Sequence, residues 1–333
     1  MNCVREDHSI NSGKILQIIG WILQQSFGNN SIKGKSMKWE DLKRSSNIED
    51  LRSQGSSGRM GFGGGRGMNF LIPIVRMLMG TNIGRIILVI GAGAYFMGFN
   101  PLSLLDQGRS DTAATHAVSA TQEDKSVQFV SAVLGQTEEV WNGIYAQSGD
   151  TYTEPKLVLF RGSVQSGCGY ADAQVGPFYC SEDKKVYLDL SFFDELSSRH
   201  NAPGDFAQAY VIAHEIGHHI QNLRGTLDKA HRMQQSVMGK AKANATQVKV
   251  ELQADCYAGI WASHTQKTRK ILEEGDIEEA LNAASQIGDD TLQKQAQGYV
   301  VPDAFTHGTS EQRMEWFSRG YQKGTLEACN TGI

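Results

Sequence analysis

The chain has 333 residues, enough for one or two domains. Hydrophobic residues at 40% and charged residues at 20% suit a protein with a packed core and exclude a largely disordered one. A net charge of −4 supplies no overall basic field, so nucleic acid is excluded as a general partner.

Positive charge gathers at the N-terminal side, at Lys14, Lys33, Lys35, Lys38, Lys43, Arg44, Arg52, Arg59, Arg66, Arg76 and Arg85. Residues 1–68 read as a flexible, basic, glycine-rich tail. The apolar run Ile15–Phe27 within it is too short to span a bilayer. The glycines of Gly55–Gly67 have neither a preceding strand nor a following Lys-Ser/Thr, so a phosphate loop is disfavoured. Residues 69–105 form the membrane candidate. No charge interrupts Ile86–Leu105, a stretch long enough to cross the hydrocarbon core, and Gly91, Gly93 and Gly98 are tolerated in membrane helices. The upstream Lys and Arg place the N-terminus in the cytoplasm and the C-terminal bulk outside it. The alternative is a helix buried in a soluble domain. Residues 106–124, rich in Ser, Thr, Ala and Gln, read as a linker.

The folded domain is expected over 125–333. Val127, Phe129, Val130, Val133, Leu134, Val140 and Trp141 recur at helical spacing, whereas Lys156–Phe160 and Lys185–Leu190 are strand-like. Val186–Leu190 is a candidate for pairing with an extended substrate, against the plainer reading of an ordinary core strand. Outside the cytoplasm disulfides are allowed. The short separation favours Cys168–Cys180, leaving Cys256–Cys329, with Cys3 alone on the cytoplasmic side. The alternative is five free thiols.

Asp205 is placed to cap a helix that Gly225 ends, and this helix carries His214-Glu215-Ile216-Gly217-His218. Residues four apart share a helix face, so His214 and His218 present two imidazoles to one metal ion, and Glu215 can reach a water there. Zinc in catalytic sites takes three protein ligands and a water. The plainer reading, a surface helix that happens to carry these residues, is weakened by Glu251. That residue lies in the apolar stretch Val250–Trp261, so a buried carboxylate there needs a partner, and it completes a two-His, one-Glu set. Asp255, one turn on, can accept the second ring N–H of a liganding histidine. His219, His231 and His264 read as hydrogen-bonded or solvated rather than as ligands. Ile277–Ala284 and Asp290–Gln297 read as two further helices, and another begins near Glu311, capped by Thr309 or Ser310.

His-Glu-x-x-His followed by Glu251-x-x-x-Asp255 resembles the gluzincin type of zinc peptidase. Gly176–Cys180, Val186–Phe193, Asp205–Gln208, Glu251–Cys256 and Phe305–Arg313 resemble the bacterial neutral zinc metallopeptidase (YpfJ-like) family. The likeness runs from about Met37 to Asn330. It implies an α+β, zincin-like domain, mostly helical with a small sheet, which the uncharged run at 86–105 would precede as one transmembrane helix. It also marks Met37 as the expected initiator and 1–36 as an upstream extension of the reading frame. By the same resemblance His307 stabilises an oxyanion and Arg313 braces the site; Arg313 in a purely structural ion pair is the alternative. The function expected is hydrolysis of peptide bonds in a peptide or protein substrate, with Zn2+ as cofactor. The lipid bilayer of a bacterial inner membrane would hold the anchor, with the catalytic domain on its outer side. The rival is a zinc-stabilised module that binds peptides and cleaves nothing, which would have no need of Glu215.

Overall fold

The computed structural model describes residues 36–53 and 112–333. Cys3, most of the N-terminal tail, the glycine-rich run and the 86–105 segment lie outside the described residues. Among the described residues, no helix is long and apolar enough to cross a membrane. The architecture is α+β, mostly helical with one small mixed sheet.

That sheet has the order β1-β2-β6-β5. Strands β1 (Ile48–Asp50), β2 (Lys156–Phe160) and β6 (Lys185–Asp189) run parallel, and β5 (Phe178–Cys180) closes the edge antiparallel to β6. A separate hairpin pairs β3 (Ser163–Ser166) with β4 (Gly169–Asp172). Successive side chains of a strand point to opposite faces, and both faces here are buried. Leu157, Leu159, Val186 and Leu188 join the main core, while Val158, Phe160 and Tyr187 join a smaller cluster with Val164 and Cys180. Val186–Leu190 therefore cannot receive an added strand, because β6 is bonded on one side to β2 and on the other to β5. Within this sheet the edge strands are β1 and β5, and β5 is the edge beside β6.

The described chain has eight helices, the first between β1 and β2 and the rest after β6: α1 (Thr112–Gln147), α2 (Ser191–Ser198), α3 (Asp205–Leu223), α4 (Thr226–Ser236), α5 (Lys240–Arg269), α6 (Asp276–Gln286), α7 (Asp289–Gln297) and α8 (Ser310–Lys323). Helix α1 begins before the expected domain boundary, so residues 112–124 are helical rather than a linker. Ala113, Ala114, Ala117 and Ala120 favour helix, and no Gly or Pro interrupts them. Helices α3, α5 and α8 form the centre of the helical layer. Close approach is made with glycine: a Cβ on Gly217 of α3 would stand 2.9 Å from the Ala254 carbonyl of α5.

Two expectations about chain ends are corrected. Residues 36–53 belong to the folded body instead of the flexible tail. Met37 and Trp39 are buried in the main core, Trp39 packs edge-on against Phe129, and Ile48–Asp50 supplies β1. Asp205 does not cap α3, whose N-cap is Gly204. The orphan N–H of Phe206 is instead met by Glu279 Oε2 of α6 at 3.0 Å, and Asp205 accepts the Ser36 hydroxyl. Gly225 does follow the end of α3, in the left-handed conformation at φ 72°. Thr309 caps α8 with Gln312 in a reciprocal capping box. Both expected disulfides are present, Cys168–Cys180 beside β5 and Cys256–Cys329 between α5 and the C-terminus.

Candidate metal centre

The 3.6-residue period of α3 places His214 and His218 on one face, with ring centroids 4.8 Å apart and planes at 89°. Glu251 reaches them from α5. Its Oε2 lies 3.2 Å from His214 Nε2 and 3.4 Å from His218 Nε2. Ligands about 2.0–2.1 Å from a tetrahedral ion stand about 3.3 Å from one another, so this spacing fits zinc.

Hydrogen bonds settle which ring atoms face the centre. His214 Nδ1 lies 2.8 Å from Asp255 Oδ1, and that carboxylate is held by both Nε and Nη2 of Arg313 at 2.9 Å and by the Tyr210 hydroxyl at 2.6 Å. An acceptor so engaged needs Nδ1 to carry the proton, which leaves the Nε2 lone pair toward Glu251. His218 Nδ1 donates to Gln221 Oε1 at 2.8 Å, with the same result for its Nε2. Gln247 donates to the other Glu251 oxygen at 2.8 Å. Two imidazole lone pairs and a carboxylate oxygen thus converge, a donor set that only a cation satisfies.

The charges agree. Burial opposes a protonated His214, but Asp255 and Glu251 outweigh it and raise the metal-free ring to about 10. Burial likewise opposes charge on His218, and Glu251 again prevails, raising it. Burial would raise Asp255, yet Arg313 and His214 pull it down to about 2. The centre is built to hold positive charge.

These residues line a cleft of about 850 Å³ that also takes in Glu215, His307, Arg313 and the β5 residues Phe178 and Tyr179. Glu215 is buried on α3 beside the metal ligands. Arg313 is buried against Asp255 and reaches no further into the cleft than Tyr210 and His214. His307 is half exposed, with Nδ1 3.2 Å from Asp289 Oδ1. Asp289 Oδ2 accepts the backbone N–H groups of Thr306, His307 and Gly308 at 2.7, 2.6 and 3.0 Å, which sets the loop. His219 takes no part in the metal centre: Nε2 donates to the Thr153 carbonyl at 2.7 Å, and Nδ1 accepts from Tyr179. His264 bonds the Gly324 carbonyl, and His231 bonds Gln235 at the cleft wall.

Sequence reasoning missed Tyr210, Gln221, Gln247 and Asp289. The first three stand three or four residues from His214, His218 and Glu251, one helical turn along the same faces, so a scan for turn-spaced polar partners finds them. Asp289 carries no such signal, because it meets the His307 loop across a change of helix.

The chain matches the family profile described as "Putative neutral zinc metallopeptidase" over residues 37–332. An uncharacterized protein of Escherichia coli, YpfJ, is 45% identical over 296 residues, covering 89% of this chain and 98% of that protein. An uncharacterized protein of Mycobacterium tuberculosis is 38% identical over 257 residues, covering 72% of this chain and 84% of the other. No solved structure matches the chain. Zinc is the cofactor that the family's description carries, and His214, His218 and Glu251 form the group able to hold it.

Proposed function

This chain belongs to the neutral zinc metallopeptidase family, and from that we propose that it hydrolyses peptide bonds with Glu215 as general base. The single observation that carries the reading is the convergence of two histidine lone pairs and Glu251 beside Glu215, a buried carboxylate that makes no salt bridge among the described residues. A purely structural zinc site fills four protein positions, whereas this one offers three among the described residues and opens on a cleft.

Zinc, when bound here, supplies Lewis acidity toward water and the scissile carbonyl. Glu215 then takes a proton from the attacking water as the oxygen bonds to the carbonyl carbon. It gives that proton to the amine nitrogen as the C–N bond breaks, so no covalent enzyme intermediate forms. Asp255, itself held by Arg313 and Tyr210, keeps the proton on His214 Nδ1. His307 serves the developing oxyanion from Nε2. Its Nδ1 is occupied by Asp289 and the Thr306 hydroxyl, which leaves Nε2 as the ring atom free to serve. The substrate backbone lies along the open edge of β5, because Phe178 and Tyr179 line the cleft and β6 is closed on both sides.

The expectation of a membrane anchor at 86–105, with the domain on the outer side of a bacterial inner membrane, is retained as part of the proposal. It is supported by the uncharged run itself and by two disulfides, which persist in oxidising compartments. Fractionation that left the full chain in the soluble fraction would remove this part.

The activity is tested on a diverse peptide library with the fragment from Thr112 onward supplemented by residues 36–53, or more simply with the whole chain in detergent. Cleavage should stop on chelation and return with zinc. A folded, zinc-loaded sample that cleaves nothing would favour a peptide-binding role.

A further inference from the structure

His218 is oriented by a line of amides that runs away from the cleft to the C-terminus. Gln221 Oε1 faces His218 Nδ1 at 2.8 Å, while Gln221 Nε2 donates to the Val250 carbonyl at 2.7 Å and to Gln253 Oε1 at 3.1 Å. Gln253 Nε2 in turn donates to the Cys329 carbonyl at 3.0 Å. A backbone carbonyl only accepts, so Val250 and Cys329 each dictate which end of the neighbouring amide is the NH2. Both glutamines are thereby locked in one orientation, and His218 in one tautomer. Gln221 has no exposed surface and Gln253 is only 7% exposed. The final acceptor is itself tethered, since Cys329 is disulfide-bonded to Cys256 on α5, the helix that carries Glu251 and Gln253.

The two histidines are therefore held by unlike means. His214 has a charged support in Asp255 and Arg313, and His218 has a neutral one that ends at the C-terminal segment. A neutral amide orients the ring without adding a further buried carboxylate to Glu215, Glu251 and Asp255, where like charge would oppose it.

We infer that Gln221 is the positioning residue for His218 and that Gln253, anchored on the Cys329 carbonyl, keeps Gln221 in register, so the C-terminal segment helps set zinc affinity. This rests on the zinc reading of the site. Outer partners of this kind are worth about 10–100-fold in metal affinity.

The test is zinc affinity, measured by competition with a chromogenic chelator on the whole chain, for the parent, Gln221→Ala, Gln253→Ala and the double variant. The zinc-free melting temperature of each is recorded beside it. Gln221→Ala should weaken zinc about 10–100-fold and Gln253→Ala by a smaller factor. The double should match Gln221→Ala alone, because Gln253 acts only through Gln221. A role in packing alone would lower zinc-free melting and give additive losses. Zinc binding by Gln221→Ala within threefold of the parent would overturn the inference, and so would additive losses in the double. If Gln221→Ala does not fold, Gln253→Ala decides, since parent-like affinity there removes the relay. A folded parent that binds no zinc, like His214→Ala, would instead defeat the zinc reading itself.

Discussion

Replacing Arg313 by Met removes the cation from a buried carboxylate. In the parent, Asp255 is fully buried and Arg313 is 2% exposed. The pair makes two bonds of 2.9 Å, and Arg313 also donates to Tyr210 and to the Ile287 carbonyl. After the change Asp255 Oδ1 keeps the Tyr210 hydroxyl and His214, but Oδ2 loses its only hydrogen bond among the described residues. Breaking a buried pair from one side costs about 3–5 kcal/mol, because the remaining charge is left uncompensated. Asp255 must then rise toward neutrality, which takes away the acceptor that orients His214, so zinc binding should weaken about 10–100-fold as well. Arg313→Lys restores charge but not the two-pronged geometry and should recover only part of the loss. Urea unfolding of zinc-free and zinc-loaded protein measures both effects. A zinc-free stability within about 0.5 kcal/mol of the parent would refute the reasoning, since surface-like substitutions fall in that range.

Other outcomes follow from the same geometry. Burial, with the neighbouring charges of Asp205 and Asp276 added, pushes Glu279 up to about 7. A carboxyl raised in the folded state stabilises it at low pH, and that stability is lost as pH rises from the unfolded value of about 4.5 through about 7. Glu279→Gln keeps an acceptor for Phe206, so it should raise the melting temperature at pH 8 more than at pH 5; an equal change at both would argue against the assignment. His307→Ala should lower turnover about 10²-fold or more with little change in zinc affinity. Unchanged turnover would remove the oxyanion role. N-methylation of a substrate's backbone amides, one at a time, should block cleavage at alternate positions if the substrate pairs with β5. Uniform tolerance would place the substrate elsewhere.

What was legible in the sequence was what helical periodicity controls. His214, Glu215 and His218 sit on one helix, and Glu251 and Asp255 stand one turn apart on another, so the reading needed only the 3.6-residue period and the rule that buried carboxylates have partners. Thr309 as a cap was local in the same sense. Positions decided by distant chain were not legible. Asp205 looks like a cap by sequence, but Glu279 of α6 takes that place. Met37, Trp39 and Ile48 are isolated apolar residues among polar ones, and nothing nearby announces that they enter the core and the sheet. The order of strands is likewise non-local. Phe178–Cys180 is too short to carry an alternating pattern, so the longer Val186–Leu190 attracted the edge position that β5 in fact holds.

In the proposed reaction Glu215 does chemistry at a zinc centre that His214, His218 and Glu251 hold. Zinc content and peptide cleavage measured on the same samples of parent and Glu215→Gln test it most directly. One zinc per chain is expected in both, with cleavage by the parent alone. Equal cleavage by both at equal zinc occupancy, or loss of zinc on the Glu215 change, would contradict it.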